Sequence, residues 1–149
     1  MKRPKPPLDI LVVEDEILIA MDIEMMIEDA GHHVIATAAS LKDVEALPTE
    51  RTPDVAFVDM QLAHNSTGLQ VNALIQERWP STIVVFVTAN PKKIPDDFDG
   101  AHGLIAKPFS ASGFTAALHY LQEGMCEPPP VSPAPGSFVA SPGFAADWG

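Results

Sequence analysis

The stretch VAFVDMQLA, residues 55–63, carries four apolar residues into a lone acid, Asp59, and goes on with Met60, Gln61 and Leu62. A short continuous run of this kind reads as a strand covered on both faces, the habit of parallel sheets. A strand that belongs to the core thus ends in a carboxylate. Either a turn or a chemical task has to account for that charge.

Similar runs lie on either side. DILVV (9–13), HVIATA (33–38), DVAFV (54–58), TIVVFV (82–87) and GLIA (103–106) are all short, apolar and rich in branched residues. Helical stretches separate them. The first follows Glu16 and ends at Gly31, a suitable C-cap. Ser40 offers an N-cap to a short helix carrying Leu41, Val44 and Leu47, and another helix runs from Gly68 to Trp79, closed by Pro80. Phe114, Ala117, Leu118 and Leu121 follow the i, i+3, i+4, i+7 spacing of an amphipathic helix. The segment ANPKKIPDDFDGA (89–101) contains two prolines and is expected to hold only a short or irregular helix.

Five alternations of strand and helix imply an α/β, doubly wound, five-stranded parallel sheet with helices on both faces, which binds ligands at the carboxyl ends of its strands. Residues 1–7 read as an N-terminal extension, 8–123 as one domain, and 124–149, rich in Pro, Ala, Ser and Gly without period, as a disordered tail. Phe138, Val139, Phe144 and Trp148 are the apolar residues in that tail that could instead dock on the domain or a partner.

Composition narrows the function. A chain of 149 residues, 46% hydrophobic, suits one domain with a sizeable core. A formal charge of −11 with nine Lys and Arg argues against a nucleic-acid partner, whose phosphates are bound by displacing counterions with basic residues. The single Cys126 allows no internal disulfide, and no long apolar span or signal cleavage pattern opens the chain, so a cytoplasmic protein without a membrane partner is expected. The five histidines show no ligand spacing and read as surface residues.

Applied to every strand, the carboxyl-end rule brings together Glu14 and Asp15 after the first, Asp59 after the third, Thr88 after the fourth and Lys107-Pro108 after the fifth. Three clustered carboxylates repel one another, so a hard divalent cation is the natural neutraliser, and Mg²⁺ fits because it takes a few carboxylates and leaves room for phosphate oxygens. A phosphoryl group in transit spreads its charge over oxygens that a cation, a lysine and a hydroxyl can each contact. Asp59 would be the nucleophile. Taken singly, each residue also has an ordinary reading: Glu14-Asp15 as a helix cap and first turn, Asp59 as an Asx turn, Thr88 as a turn former, Lys107 as an exposed charge.

In their order along the strands these residues resemble the receiver domain of two-component response regulators, over roughly residues 8–123. The resemblance implies a flavodoxin-like sheet of order 2-1-3-4-5, with Mg²⁺ held by Glu14, Asp15, Asp59 and the backbone carbonyl of Gln61. It implies phosphorylation at Asp59, catalytic roles for Asp59, Thr88 and Lys107, and a cis peptide at Lys107-Pro108. The phosphoryl group would come from a histidine kinase or histidine phosphotransfer protein and the signal would pass to a downstream protein target, with no DNA-binding output domain and with a homodimer as an option. Such a protein catalyses its own phosphoryl transfer, and autodephosphorylation where it occurs, but acts chiefly in signalling.

Three departures stand out. Glu14 takes a place where Asp is also common, Ala63 a place where many members have Pro, and Leu104 the place of a Tyr or Phe that swings inward on phosphorylation, so aromatic switching is excluded. Two alternatives remain: an aspartyl-nucleophile phosphatase, disfavoured because Gln61 stands where the second acid would be, and a degenerate receiver acting as a phosphorylation-independent binding module. Finally, the first helix has two apolar faces. Ile19, Ala20, Ile23, Met26, Ile27 and Ala30 suit the sheet, whereas Leu18, Met21 and Met25 form a second strip, rimmed by acids, fit for partner docking.

Overall fold

The computed structural model describes residues 6–48, 50–126 and 135–144. The first strand, β1 (Asp9–Val13), is followed by α1 (Ile17–Asp29), β2 (His33–Ala38), α2 (Leu41–Glu45), β3 (Val55–Asp59), α3 (Gly68–Arg78), β4 (Ile83–Thr88), β5 (Gly103–Ala106), α4 (Ala111–Cys126) and β6 (Val139–Ala140). The sheet runs β2-β1-β3-β4-β5-β6. Its first five strands are parallel and in the expected order, while β6 is an antiparallel addition that makes the sheet six-stranded.

Strand alternation explains the two cores. Ile10, Val12, Phe57 and Val85 point to the face covered by Ile23 and Ile27 of α1 and by Phe114, Leu118 and Leu121 of α4. Leu11, Val13, Val58 and Phe86 point to the other face, under Val44 of α2 and Val71 and Ile75 of α3. Both faces being covered is why the central strands read as unbroken apolar runs.

Local signals set the element ends. Ser40 Oγ accepts from Asp43 N at 3.2 Å as the cap of α2, and Thr67 and Gln70 form a reciprocal capping box on α3. Gly31 follows α1 with φ of +91°, a conformation that favours glycine. The proline-bearing segment after β4 contains only two short 3₁₀ turns, Pro91–Lys93 and Phe98–Gly100. The second has positive φ at Phe98, Asp99 and Gly100, and the carbonyl oxygen of Asp99 is held by Asn72 Nδ2 at 2.9 Å, a fully buried amide on α3.

Three sequence-based expectations need correction. α4 continues past residue 123 to Cys126, and residues 135–144, assigned to a disordered tail, pack on the domain. Leu104 pairs with Val139 and Gly103 with Ala140, while Phe138 and Phe144 are buried. Burying a phenylalanine is worth about 1.5–3 kcal/mol, enough for two of them to hold a short segment that composition alone marks as floppy. Val139 remains half exposed, and Trp148 lies outside the described residues. His32, read as a surface residue, is buried, and its Nδ1 accepts from Leu8 N at 2.9 Å.

Candidate functional site

The parallel registers bring the strand ends level: Val13 stands beside Val58, Asp59 beside Val87, and Thr88 beside Ala106. Residues immediately past those ends therefore converge at one edge. Carboxylate oxygens of Glu14, Asp15 and Asp59 all lie within 4.8 Å of one another. Lys107 Nζ reaches Glu14 Oε1 at 2.7 Å and Asp59 Oδ2 at 3.4 Å, bridging two of the three acids. The Lys107-Pro108 peptide is cis, as the resemblance implied.

Burial shapes the electrostatics. The Glu14 side chain is almost fully enclosed, and desolvation, aided by the hydrogen bond with Asp59 and opposed by Lys107, pushes its pKa up to about 8. Burial alone would lower the Lys107 pKa, but the hydrogen bond to Glu14 and the nearby charges of Asp59 and Glu14 outweigh it and hold the ammonium above its ordinary range. The pocket is thus crowded with negative charge and has one ammonium to offset it. Three carboxylates this close, one of them resisting ionisation, are a donor set that fits a hard divalent cation. Asp15, exposed to solvent beside them, completes the set from the open side.

Thr88 is buried, and its Oγ1 accepts from Asn90 N at 3.0 Å, which leaves the hydroxyl proton available to a ligand. Gln61 N donates to Asp59 Oδ1 at 3.4 Å, and the loop is closed by a bridge between Gln61 and Thr67. His64 and Asn65 turn this loop through positive φ, Ser66 Oγ bonds the carbonyl of Ala63, and Ala63 N donates to Ala39 O at 3.0 Å. Ala63 therefore sits in a compact hydrogen-bonded turn without proline. Gly68 closes it: a Cβ there would lie 2.5 Å from the backbone oxygen of Asp59, so the start of α3 can approach the acid only as glycine.

Sequence reasoning missed three contributors. Lys93, Asn90 and Glu16 line a cleft of about 290 Å³ together with Asp59, Thr88 and Lys107. Lys93 was hidden in a segment without helical period. On α1, Leu18, Met21 and Met25 are exposed, and so is Ile17, at 74%, the first residue of the helix and absent from the expected strip. Ile17 and Met21 share a hollow with Glu14, Asp15 and Asp43, so the apolar strip borders the acids. Leu104 is buried in β5, with β4 on one side and β6 on the other.

Residues 10–119 match the family model described as the response regulator receiver domain. The chain belongs to the response regulator receiver family. Among relatives of this receiver, the phyllosphere-induced regulator PhyR of Methylorubrum extorquens is 36% identical over 113 residues, 74% of this chain and 42% of that protein. The solution structure of the PhyR receiver domain of Erythrobacter litoralis is 27% identical with a TM-score of 0.68, covering 77% of this chain and 89% of that one. The crystal structure of the anti-anti-sigma factor PhyR of Bartonella quintana is 30% identical with a TM-score of 0.63, covering 78% and 47%. The receiver described here spans about half the length of the curated relatives it matches. Among its described residues, no helix is long and apolar enough to cross a membrane.

Proposed function

We propose that this receiver accepts a phosphoryl group on Asp59 from a phosphohistidine and passes the resulting change to a protein target. The observation that carries the reading is the Lys107 ammonium lying between Glu14 and Asp59, with carboxylate oxygens of Glu14, Asp15 and Asp59 within 4.8 Å. An Asp59 carboxylate oxygen attacks the phosphorus in line; the P–O bond forms as the P–N bond breaks, and the imidazole leaves. Lys107 swings its charge toward the equatorial oxygens, and the Thr88 hydroxyl donates to one of them. Mg²⁺, for which Glu14, Asp15, Asp59 and the Gln61 carbonyl are the donors, would supply charge neutralisation at those same oxygens. A cation held by Glu14 would compete with Lys107 for that carboxylate, which would leave the ammonium to the phosphoryl group beside Asp59.

The reading also assigns Leu18, Met21 and Met25, with Ile17, to docking of a histidine kinase or histidine phosphotransfer protein, since the strip borders the acids. A cytoplasmic setting suits such donors. The described activity of B. quintana PhyR belongs to a chain of which this one matches only 47%, so its likeness supports the receiver role alone. Gln61 in place of a second acid speaks against a phosphatase, and the intact set of acids, Thr88 and Lys107 against a binding module that has lost phosphorylation.

Asp59→Asn should abolish labelling by acetyl phosphate with the fold unchanged by circular dichroism, because a half-buried strand end accepts an isostere. Full labelling of the variant would end the assignment. Met21→Arg should reduce transfer from the cognate phosphohistidine protein by about tenfold or more, the loss of a centrally buried contact, while acetyl phosphate labelling persists. Equal losses with both donors would place the damage in the pocket rather than in docking.

A further inference from the structure

The edge of the sheet beyond β5 is shaped to receive a strand. Gly103 lacks a side chain where one would overlap the ring of Phe138, so the glycine forms a notch, and Phe138 fills it, packed also against Tyr120 of α4 at 5.6 Å between ring centroids. A second contact lies one step outward. Phe144 meets the ring of His102 edge-on at 5.3 Å, and the imidazole of His102 is itself fixed by accepting from Val84 N at 3.0 Å. Backbone pairing joins the two: Leu104 with Val139, Gly103 with Ala140, and Ser141 N to His102 O at 2.9 Å. A third fit is Ser137 Oγ, which donates to the carbonyl oxygen of Gly113 at 2.7 Å, at a glycine where a Cβ would crowd Ser137.

The domain is thus cut to fit this segment, yet the attachment is slight. The ladder is two residues long, extended by the Ser141 N to His102 O bond and the Ser137 hydroxyl, and its chief apolar anchors are two aromatics. Residues 127–134, EPPPVSPA, tether it to α4. A short tether keeps the effective concentration of the segment high while leaving it free to exchange with a competing strand. Exposed sheet edges with a pocket for an alternate side chain are what strand-addition partners use.

We propose that the β5 edge with its Gly103 notch is a protein-interaction site for an extended partner segment bearing an aromatic residue followed by small or β-branched ones, and that residues 137–141 are its resident, displaceable occupant. The site does not depend on phosphoryl chemistry. A partner must compete with the tethered segment, which sets a threshold for binding.

The probe is a fluorescent synthetic peptide with the sequence of residues 135–144, titrated onto the full chain. Phe138→Ala empties the notch and leaves it open; Gly103→Val fills the notch from the domain side. Both should release the segment, seen as loss of amide protection at Val139 with the β3 amides still protected. The peptide should bind Phe138→Ala about tenfold or more tighter than wild type, the advantage of removing a tethered competitor, and should not bind Gly103→Val. Equal peptide affinity for the two variants, no binding to Phe138→Ala, or a Val139 amide still protected in Phe138→Ala would each overturn the proposal. A wild-type dimer abolished by Gly103→Val would also overturn it, by making the occupant the segment of a second copy.

Discussion

The two flanks of the β3–β4 pair are built by different means. On the β1 side, function rests on residue type at strand ends: Glu14, Asp15 and Asp59 are carried to one place by registers that any parallel sheet provides. On the β5 side, structure rests on shape: a missing side chain at Gly103, a left-handed turn pinned by Asn72, and a two-residue strand held by aromatics. The first flank can be reached from periodicity and chemistry. The second exists only once the chain has folded, because its fit is between segments far apart in sequence.

The contrast has an energetic form, and the largest expected effect tests it. Phe57 in β3 and Phe138 beside β6 are both buried and belong to the same cluster. Phe57→Ala opens a cavity between α4 and the sheet that nothing can leave, and should cost about 3–5 kcal/mol. Phe138→Ala can lose no more global stability than the docking of its segment is worth, because the segment detaches instead of straining the core. Its cost should stay below about 2 kcal/mol in urea denaturation, within the burial worth of one phenylalanine. Equal costs would break the comparison and make β6 an integral strand.

This difference explains what could be read in advance. Five strands, the helix caps at Ser40 and Gly31 and the convergence of acids, hydroxyl and lysine follow from apolar runs and from what stands just beyond them. Ile17 escaped because the apolar strip was built from Leu18 onward, and the exposure of a residue in the first turn depends on where the helix starts. Lys93 escaped because the turn Pro91–Lys93 has no period to orient a side chain. β6 escaped because proline-rich composition describes the unbound chain, whereas the notch at Gly103 reads in sequence only as a strand glycine. Leu104 shows both cases at once: its departure from the family is visible in sequence, but its pairing with Val139 is not.

A smaller effect sharpens the electrostatic side. In the cation-free protein Glu14 has its pKa raised from 4.5 to about 8, chiefly by burial. The folded state then binds more protons than the unfolded one between those values, so this group makes stability fall as pH rises through that window. Glu14→Gln removes the charge and keeps an oxygen for Lys107. Cation-free, the variant should gain melting temperature over wild type at pH 8 and gain less at pH 5. Added Mg²⁺ should raise the melting temperature of wild type and affect the variant far less. An identical pH dependence in both proteins would show that Glu14 is not the strained acid.

The smallest effect belongs to neither flank and serves as their reference. His32 has its pKa lowered from its ordinary value of 6.5, first by burial and then by the neighbouring charges of His33 and His119. Its Nδ1 must stay unprotonated to accept from Leu8 N, where the chain enters β1. The sign is opposite to that of Glu14. Below pH 6.5 the unfolded chain takes up the proton that the folded one refuses, so stability falls as pH drops from there and levels off once it passes below the folded pKa. The hydrogen bond itself is worth about 0.5–1.5 kcal/mol, an upper scale for what the group contributes. His32→Asn keeps an acceptor and removes this titration, while every other ionisable group is the same in both proteins. The urea midpoint of wild type should therefore drop more between pH 7.5 and 5.5 than that of the variant. If both dropped equally, the buried imidazole would contribute nothing to the pH response, and acid sensitivity would have to come from the carboxylates that line the opposite end of the sheet.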